Sequence, residues 1–202
     1  RLRRIVLIRH GETVGNSSER LHGSADLALS EAGRAQMQCA AASLRTEVFE
    51  LVVASPMQRS WEAAQIVAAG APIRLEHDFR EIHFGRWEGL SREEIEASDP
   101  VLFEDWQAGA AGFEYPGGER RAEFLARVES GLRQVAQSPG HAALVLGHKG
   151  VIRTICEILT GGKPPGSQPE LGELVELTAE PDGRWVFGRR SSNPPGLEED
   201  AA

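Results

Sequence analysis

The chain has only two cysteines in 202 residues, Cys39 and Cys156. They stand in separate helix-like stretches, with no C-x-x-C spacing and no histidine at metal-ligand distance in sequence, which argues against a disulfide scaffold and against a structural zinc site. Two buried free thiols in a reducing cytoplasm are the expected state. Positive charge is also short: 22 lysines and arginines face 30 aspartates and glutamates, giving a net charge of −8. Such a balance disfavours nucleic acid or an anionic membrane as the main partner. Long apolar runs are missing. The first, residues 5–8, is too short for a signal-peptide core or a membrane span, so no export signal is visible and a cytoplasmic location is expected. There is no internal repeat.

What is present is enough apolar residue, 41%, for one large core, and the length calls for no second domain. One α/β domain over residues 1–190 is expected, followed by a flexible acidic tail over 191–202. Ile5-Val6-Leu7-Ile8, Leu51-Val52-Val53-Ala54 and Ala143-Leu144-Val145-Leu146 read as buried strands. Helices are expected between them: about Ser30 to Arg45 with Ala32, Ala35, Cys39 and Ala42 on one face; from Ser55-Pro56 onward with Met57, Trp61, Ala64 and Ala68 in line; Glu119 to Ala136 with Leu125, Val128, Leu132 and Val135 in line; and after residue 146 with Val151, Ile155, Ile158 and Leu159. Pro72 to Leu75 reads as a short strand, and Glu173 to Thr178 with Arg184 to Arg189 as a hairpin around Pro181-Asp182-Gly183. Seven of the twelve aromatics, Phe79, Phe84, Trp87, Phe103, Trp106, Phe113 and Tyr115, fall in one window. That window reads as an insertion over the sheet, whose aromatics either anchor a small core of their own or line a pocket.

Open α/β sheets bind ligands outside the carboxyl ends of their strands, and two of the strands end in Arg9-His10-Gly11-Glu12-Thr13 and Gly147-His148-Lys149-Gly150. Arg59, His148 and Lys149 are placed in first turns of helices, the wrong ends for cations by roughly 0.3–1 kcal/mol each. An anion bound at the strand ends offsets that, and phosphate is the natural candidate. Each residue has a plainer reading too: Arg59 as a surface arginine, His148 as a backbone-bonded histidine, and His22, His77, His83 and His141 as structural or exposed side chains. Glu81, between aromatic residues, is placed for a proton donor, with Glu88 and Glu12 as rivals. Asn16 either donates its amide to a phosphate oxygen or simply forms a turn.

Arg9-His10-Gly11-Glu12-Thr13 with Asn16, then Gly23, Asp26 and Leu29-Ser30-Glu31-Ala32-Gly33, resembles the opening of the histidine phosphatase superfamily, the phosphoglycerate-mutase-like proteins. Ser55-Pro56-Met57-Gln58-Arg59, Glu81 with Phe84-Gly85 and Trp87-Glu88-Gly89, and Gly147-His148 with Gly150-Val151-Ile152-Arg153 resemble its later segments, in order. The resemblance implies a three-layer α/β/α fold with a mostly parallel central sheet and a small, mainly helical insertion, about residues 79–117, over the active site. It implies that His10 takes the phosphoryl group, that Arg9, Arg59 and His148 hold the phosphate oxygens, and that Glu81 is the acid, with no metal and no cofactor. Thr13, Gly23, Asn16 and Lys149 are further candidates for substrate or phosphate contact. Lys149 departs from the small residue usual after the second histidine, and either contacts an anion or points to solvent.

Mutases of the family carry Glu-Arg-His-Tyr-Gly at the acid segment, whereas Glu81 here is followed by Ile82-His83-Phe84-Gly85. Together with Tyr115-Pro116-Gly117-Gly118-Glu119, this resembles the α-ribazole and broad-specificity phosphatases. Hydrolysis of a small phosphomonoester metabolite is therefore expected, with a cofactor-dependent mutase and a non-catalytic phospho-ligand-binding module as alternatives. A homodimer is an allowed assembly. Gly161-Gly162-Lys163 is no nucleotide-binding P-loop, since it lacks the upstream glycine and the following Ser or Thr.

Overall fold

The computed structural model describes residues 1–166 and 169–191; the acidic tail expected from Ser191 onward lies, beyond that residue, outside the described residues. Chain order is β1 (Arg4–Arg9), α1 (Glu31–Ser43), β2 (Leu51–Ala54), α2 (Gln58–Val67), β3 (Ile73–Leu75), α3 (Arg92–Ser98), α4 (Pro100–Ala108), α5 (Arg121–Gln137), β4 (Ala142–Gly147), α6 (Lys149–Thr160), β5 (Leu174–Ala179) and β6 (Trp185–Ser191). The six strands form one sheet in the order β3-β2-β4-β1-β5-β6. The first four in that order are mutually parallel, and the β5–β6 hairpin joins β1 antiparallel.

Strand alternation divides the interior into two cores. Ile5 and Leu7 of β1 face Phe124, Val128, Leu132 and Val135 of α5 and Val151, Ile152 and Ile155 of α6. Val6 and Ile8 face Met37, Ala40 and Leu44 at α1 and Ala63 and Ala64 of α2. Helices therefore cover both faces of the sheet, the three layers the resemblance implied.

Several faces were misassigned by periodicity alone. On α1 the buried residues are Gly33, Met37 and Ala40, with Leu44 at the C-cap, while Ala32, Ala35, Cys39 and Ala42 lie outside. Alanine and cysteine stripes run on both sides of this helix, and the one large apolar side chain within it, Met37, decides which faces inward; truncating it to alanine costs roughly 2–5 kcal/mol. Cys39 is thus exposed, and only Cys156 is the buried thiol expected. Helix α2 starts at Gln58, two residues later than Ser55-Pro56 suggested, and turns Arg59, Ser60 and Glu62 inward with Ala63 and Ala64. Trp61, expected in the core, is 40% exposed. On α5 it is Phe124 and not Leu125 that joins the buried row.

The aromatic window builds chiefly its own core. Trp87, Ile95, Phe103 and Phe113 are buried together with Trp106 and Tyr115 against them, the Trp87 ring lying 5.6 Å from Trp106 and 5.7 Å from Phe113. Asp99, between α3 and α4, fastens this cluster by accepting from Trp87 Nε1 at 2.7 Å and from Arg86. Phe79, by contrast, belongs to the main core under α5. Among the described residues no helix is long and apolar enough to cross a membrane.

Candidate active site

Strand register brings the expected residues together. Ala54 of β2, Leu146 of β4 and Ile8 of β1 lie level across three adjacent strands, so the chains that continue past them place Ser55, Gly147-His148 and Arg9-His10 side by side. His10 N–H donates to Gly147 O at 3.0 Å and Ser55 N–H to Leu146 O at 3.1 Å, extending the ladder beyond the strands. The two imidazole rings meet edge to face with centroids 5.3 Å apart.

His10 is buried, and its Nδ1 lies 2.7 Å from Gly11 O. A carbonyl only accepts, so Nδ1 carries the proton and the lone pair is left on Nε2. Burial, then the charges of Arg59 and Arg9, push the His10 pKa well below its ordinary value. The ring is therefore neutral at neutral pH, the state in which imidazole is a nucleophile.

His148 is fully buried at the N-cap of α6, also with a pKa well below the ordinary value from burial and then Arg59. Its Nε2 lies 2.8 Å from Ser55 Oγ and 3.4 Å from Ser60 Oγ, and its Nδ1 is buried with no hydrogen-bond partner among the described residues. Ser55 and Ser60 were not singled out by the sequence as partners of this histidine. For Ser55 the signal was available, since a serine directly after an apolar strand end is a buried hydroxyl in search of a partner.

Arg59 is 0% exposed, yet its Nη atoms donate only to carbonyls: Ala25 O at 2.7 Å, Gly23 O at 2.9 Å and His22 O at 3.1 Å. Arg9 likewise donates to Pro169 O at 3.0 Å. The Nε of each is buried without a partner among the described residues. Burial lowers the pKa of both, and Glu81 is the main charge that works against it. A buried cation without a carboxylate partner is costly by several kcal/mol, and here two such guanidiniums lie within electrostatic reach of both histidines. The arrangement is a receptor for an anion.

Glu81, 8% exposed, reaches the site from the other core. Its Oε1 accepts from Ile82 N–H and its Oε2 from Gly150 N–H, each at 3.0 Å. Gly150 permits this approach, because a Cβ there would lie 2.4 Å from Oε1. The rivals are committed elsewhere: Glu88 accepts from the backbones of Gly23, Ser24 and Phe84, and Glu12 from Thr13 and Ser18. Arg127 of α5 holds the acid segment in place, donating to the carbonyls of Asp78, Arg80 and Glu81 and to the carboxylate of Glu119.

The remaining candidates separate. Gly23 is the seat of Arg59 and leaves no room for a side chain, a Cβ falling 1.9 Å from Ile82 O. Thr13 is buried and spends its hydroxyl on Ser17 Oγ at 2.6 Å and on Gly15 N–H. Asn16 is exposed at φ 57° and forms a turn, its carbonyl accepting from Glu19 and Arg20. Lys149 is partly buried beside Arg9 and Glu81 and makes no hydrogen bond or ion pair among the described residues. His22, read as structural, is closer to the chemistry than expected: its Nε2 lies 2.6 Å from Gly15 O, its carbonyl holds Arg59, and its Nδ1 is buried without a partner among the described residues. Among those residues no group of three or more His, Cys, Asp and Glu is arranged to hold a metal ion.

Two buried imidazoles at adjacent strand ends, beside two guanidiniums bonded only to carbonyls and one carboxyl, fit an α/β enzyme that handles phosphate. The sequence profile of the histidine phosphatase superfamily (branch 1) matches residues 5–188, and the chain belongs to that superfamily. It is 30% identical over 200 residues to the glucosyl-3-phosphoglycerate phosphatase of Mycobacterium tuberculosis, covering 93% of this chain and 89% of that protein. The structure of the mycobacterial glucosyl-3-phosphoglycerate phosphatase complexed with VO3 is 28% identical and superposes with a TM-score of 0.80 over 96% of this chain and 100% of that one. The fold is also shared with a putative alpha-ribazole-5'-P phosphatase from Escherichia coli K-12, at 24% identity and a TM-score of 0.80 over 98% and 100% of the two chains.

Proposed function

We propose that the chain is a metal-independent phosphomonoesterase acting on a small phosphorylated metabolite through a phosphohistidine on His10. The observation that carries this reading is the fixed tautomer of His10: a neutral, buried ring whose Nδ1–H is taken by Gly11 O and whose Nε2 lone pair is free. Nε2 attacks phosphorus in line as the bond to the leaving oxygen breaks, and the ring's new positive charge is steadied through Nδ1–H by Gly11 O. Arg9, Arg59 and His148 Nδ1–H take the phosphoryl oxygens, whose spreading charge they balance as a metal ion does elsewhere. Protonated Glu81 delivers its proton to the departing alkoxide. As a carboxylate it then takes a proton from water, whose oxygen attacks phosphorus, releases phosphate and returns neutral His10.

Phosphatase chemistry is also what the names of the relatives describe. The test is turnover of p-nitrophenyl phosphate with and without EDTA by wild type and His10→Ala, together with a mass-spectrometric trap of an acid-labile phosphoryl group on His10. Activity surviving His10→Ala overturns the nucleophile, and activity lost to EDTA overturns the metal-free route. Interconversion of 2- and 3-phosphoglycerate dependent on a bisphosphate primer assigns a mutase, and phosphate binding without turnover a binding module.

A further inference from the structure

Of 22 basic residues only two are lysines, and one of them, Lys149, directly follows His148. It occupies the first position of α6, where the helix end is positive and no acidic residue stands in the first turn. Arg153 follows at i+4, so two cations share one face of the same turn, an arrangement helices disfavour. Arg153 Nε is buried with no hydrogen-bond partner among the described residues, and its nearest carboxylate, Glu157, is 3.9 Å away. Burial, then Arg9, lower the Lys149 pKa, with Arg153 and Arg92 adding to the effect and Glu81 opposing it. That one carboxylate is already held by the N–H groups of Ile82 and Gly150. Arg92 comes from the insertion, its guanidinium 5.0 Å above the Trp106 ring. The positive charge thus extends past the phosphate pocket, along α6 and toward the insertion; among the described residues Glu81 and Glu157 stand against it, and Lys149 makes no hydrogen bond or ion pair there.

We propose that Lys149 and Arg153 form a second anion subsite, and that the alcohol part of the substrate carries a carboxylate or a further phosphate. This rests on the phosphomonoesterase reading and names its substrate class. The leaving group's anion lies against Lys149, next to His148 in the chain, while the scissile phosphate is held by Arg9, Arg59 and His148. Uncharged leaving alcohols fill only the first of the two subsites and leave the second empty.

The experiment uses paired esters that differ by one anionic group: 3-phosphoglycerate against glycerol 3-phosphate, and fructose 1,6-bisphosphate against fructose 6-phosphate. For at least one pair, wild-type kcat/KM is expected to favour the doubly anionic member by about tenfold or more, the effect of a charge-assisted hydrogen bond. The first pair reports a carboxylate and the second a phosphate. In Lys149→Met that ratio is expected to fall by about tenfold, in Lys149→Arg to persist, and in Lys149→Glu to invert. Each ratio is taken within one protein, so a folding defect cancels. A ratio near one in both pairs, or a preference that survives Lys149→Met, overturns the subsite. If no ester is turned over, the phosphatase reading fails, and the same ratios measured as calorimetric affinities still decide the subsite by the same criteria.

Discussion

Glu81 and Gly150 touch so closely that a side chain at position 150 must displace the carboxyl: Oε2 accepts the glycine N–H at 3.0 Å, and a Cβ would stand 2.4 Å from Oε1. The carboxyl is held by the backbone of the helix that begins with His148 and Lys149, so acid and anion pocket are set by the same turn.

Gly150→Ala is therefore expected to push the carboxyl away while the fold persists. General acids contribute about 10²–10⁴ in rate, and a displaced one should cost roughly 10–100-fold in kcat on alkyl phosphates. p-Nitrophenyl phosphate, whose leaving group needs little protonation, should lose far less. Equal losses on both substrates would show that Glu81 is not the donor.

Inorganic phosphate should stabilise the wild-type chain, because Arg59 is a fully buried cation with only carbonyl partners. At 100 times Kd the gain is about 2.7 kcal/mol, or roughly 5–10 °C in Tm for a chain of this size. Arg59→Met should abolish the shift. A thermal melt with phosphate, against chloride at matched ionic strength, checks it.

Acid should weaken the fold early. His10 and His148 both have pKa values well below the ordinary one in the folded chain, so below about pH 6.5 the unfolded chain binds protons that the folded one does not. Their contribution is complete above the unfolded pKa and is lost as pH falls through it, by up to about 1.4 kcal/mol per pH unit for each histidine. Urea melts across pH 5–8 read the slope, and replacing His148 with glutamine should flatten it. NMR titration of the free protein should find both rings still neutral at pH 6.

Two positioning residues can be separated from the reacting groups. Ser55→Ala leaves His148 Nε2 with only Ser60 at 3.4 Å, and should cost about 1–3 kcal/mol in stability together with a change in the pH profile of kcat. Arg127→Met frees the carbonyls of Asp78, Arg80 and Glu81. It should lower kcat more than it raises KM, since the acid segment loosens while the phosphate grip stays. Loss of KM alone would contradict the assignment.

The strand ends were legible because each is an apolar run stopped by polar residues, and register did the rest: nothing beyond the sheet is needed to bring His10 to His148. The insertion was legible as a concentration of aromatics, and its own core explains most of them. What periodicity missed followed from two causes. On α1, small residues on both sides left Met37 to decide the buried face, so Cys39 ended outside. On α2, Arg59, Ser60 and Glu62 turn inward because they serve the strand ends and the loop before α1, and a hydrophobic pattern cannot report polar residues that are buried for that reason. Ser60, Arg127 and His22 act through contacts distant in sequence, which no local motif contains.

The two cores on opposite faces of the sheet have a consequence for partly folded chains. Arg59 stands on a helix of one layer, while Glu81 is clamped between Arg127 and Gly150 on helices of the other. On the proposed roles, a chain with only one layer docked would lack either the Arg59 guanidinium or the clamped Glu81. Turnover on those roles would work as a logical AND across the sheet, an active molecule being one that has completed both sides, and specific activity would then count the fully folded population.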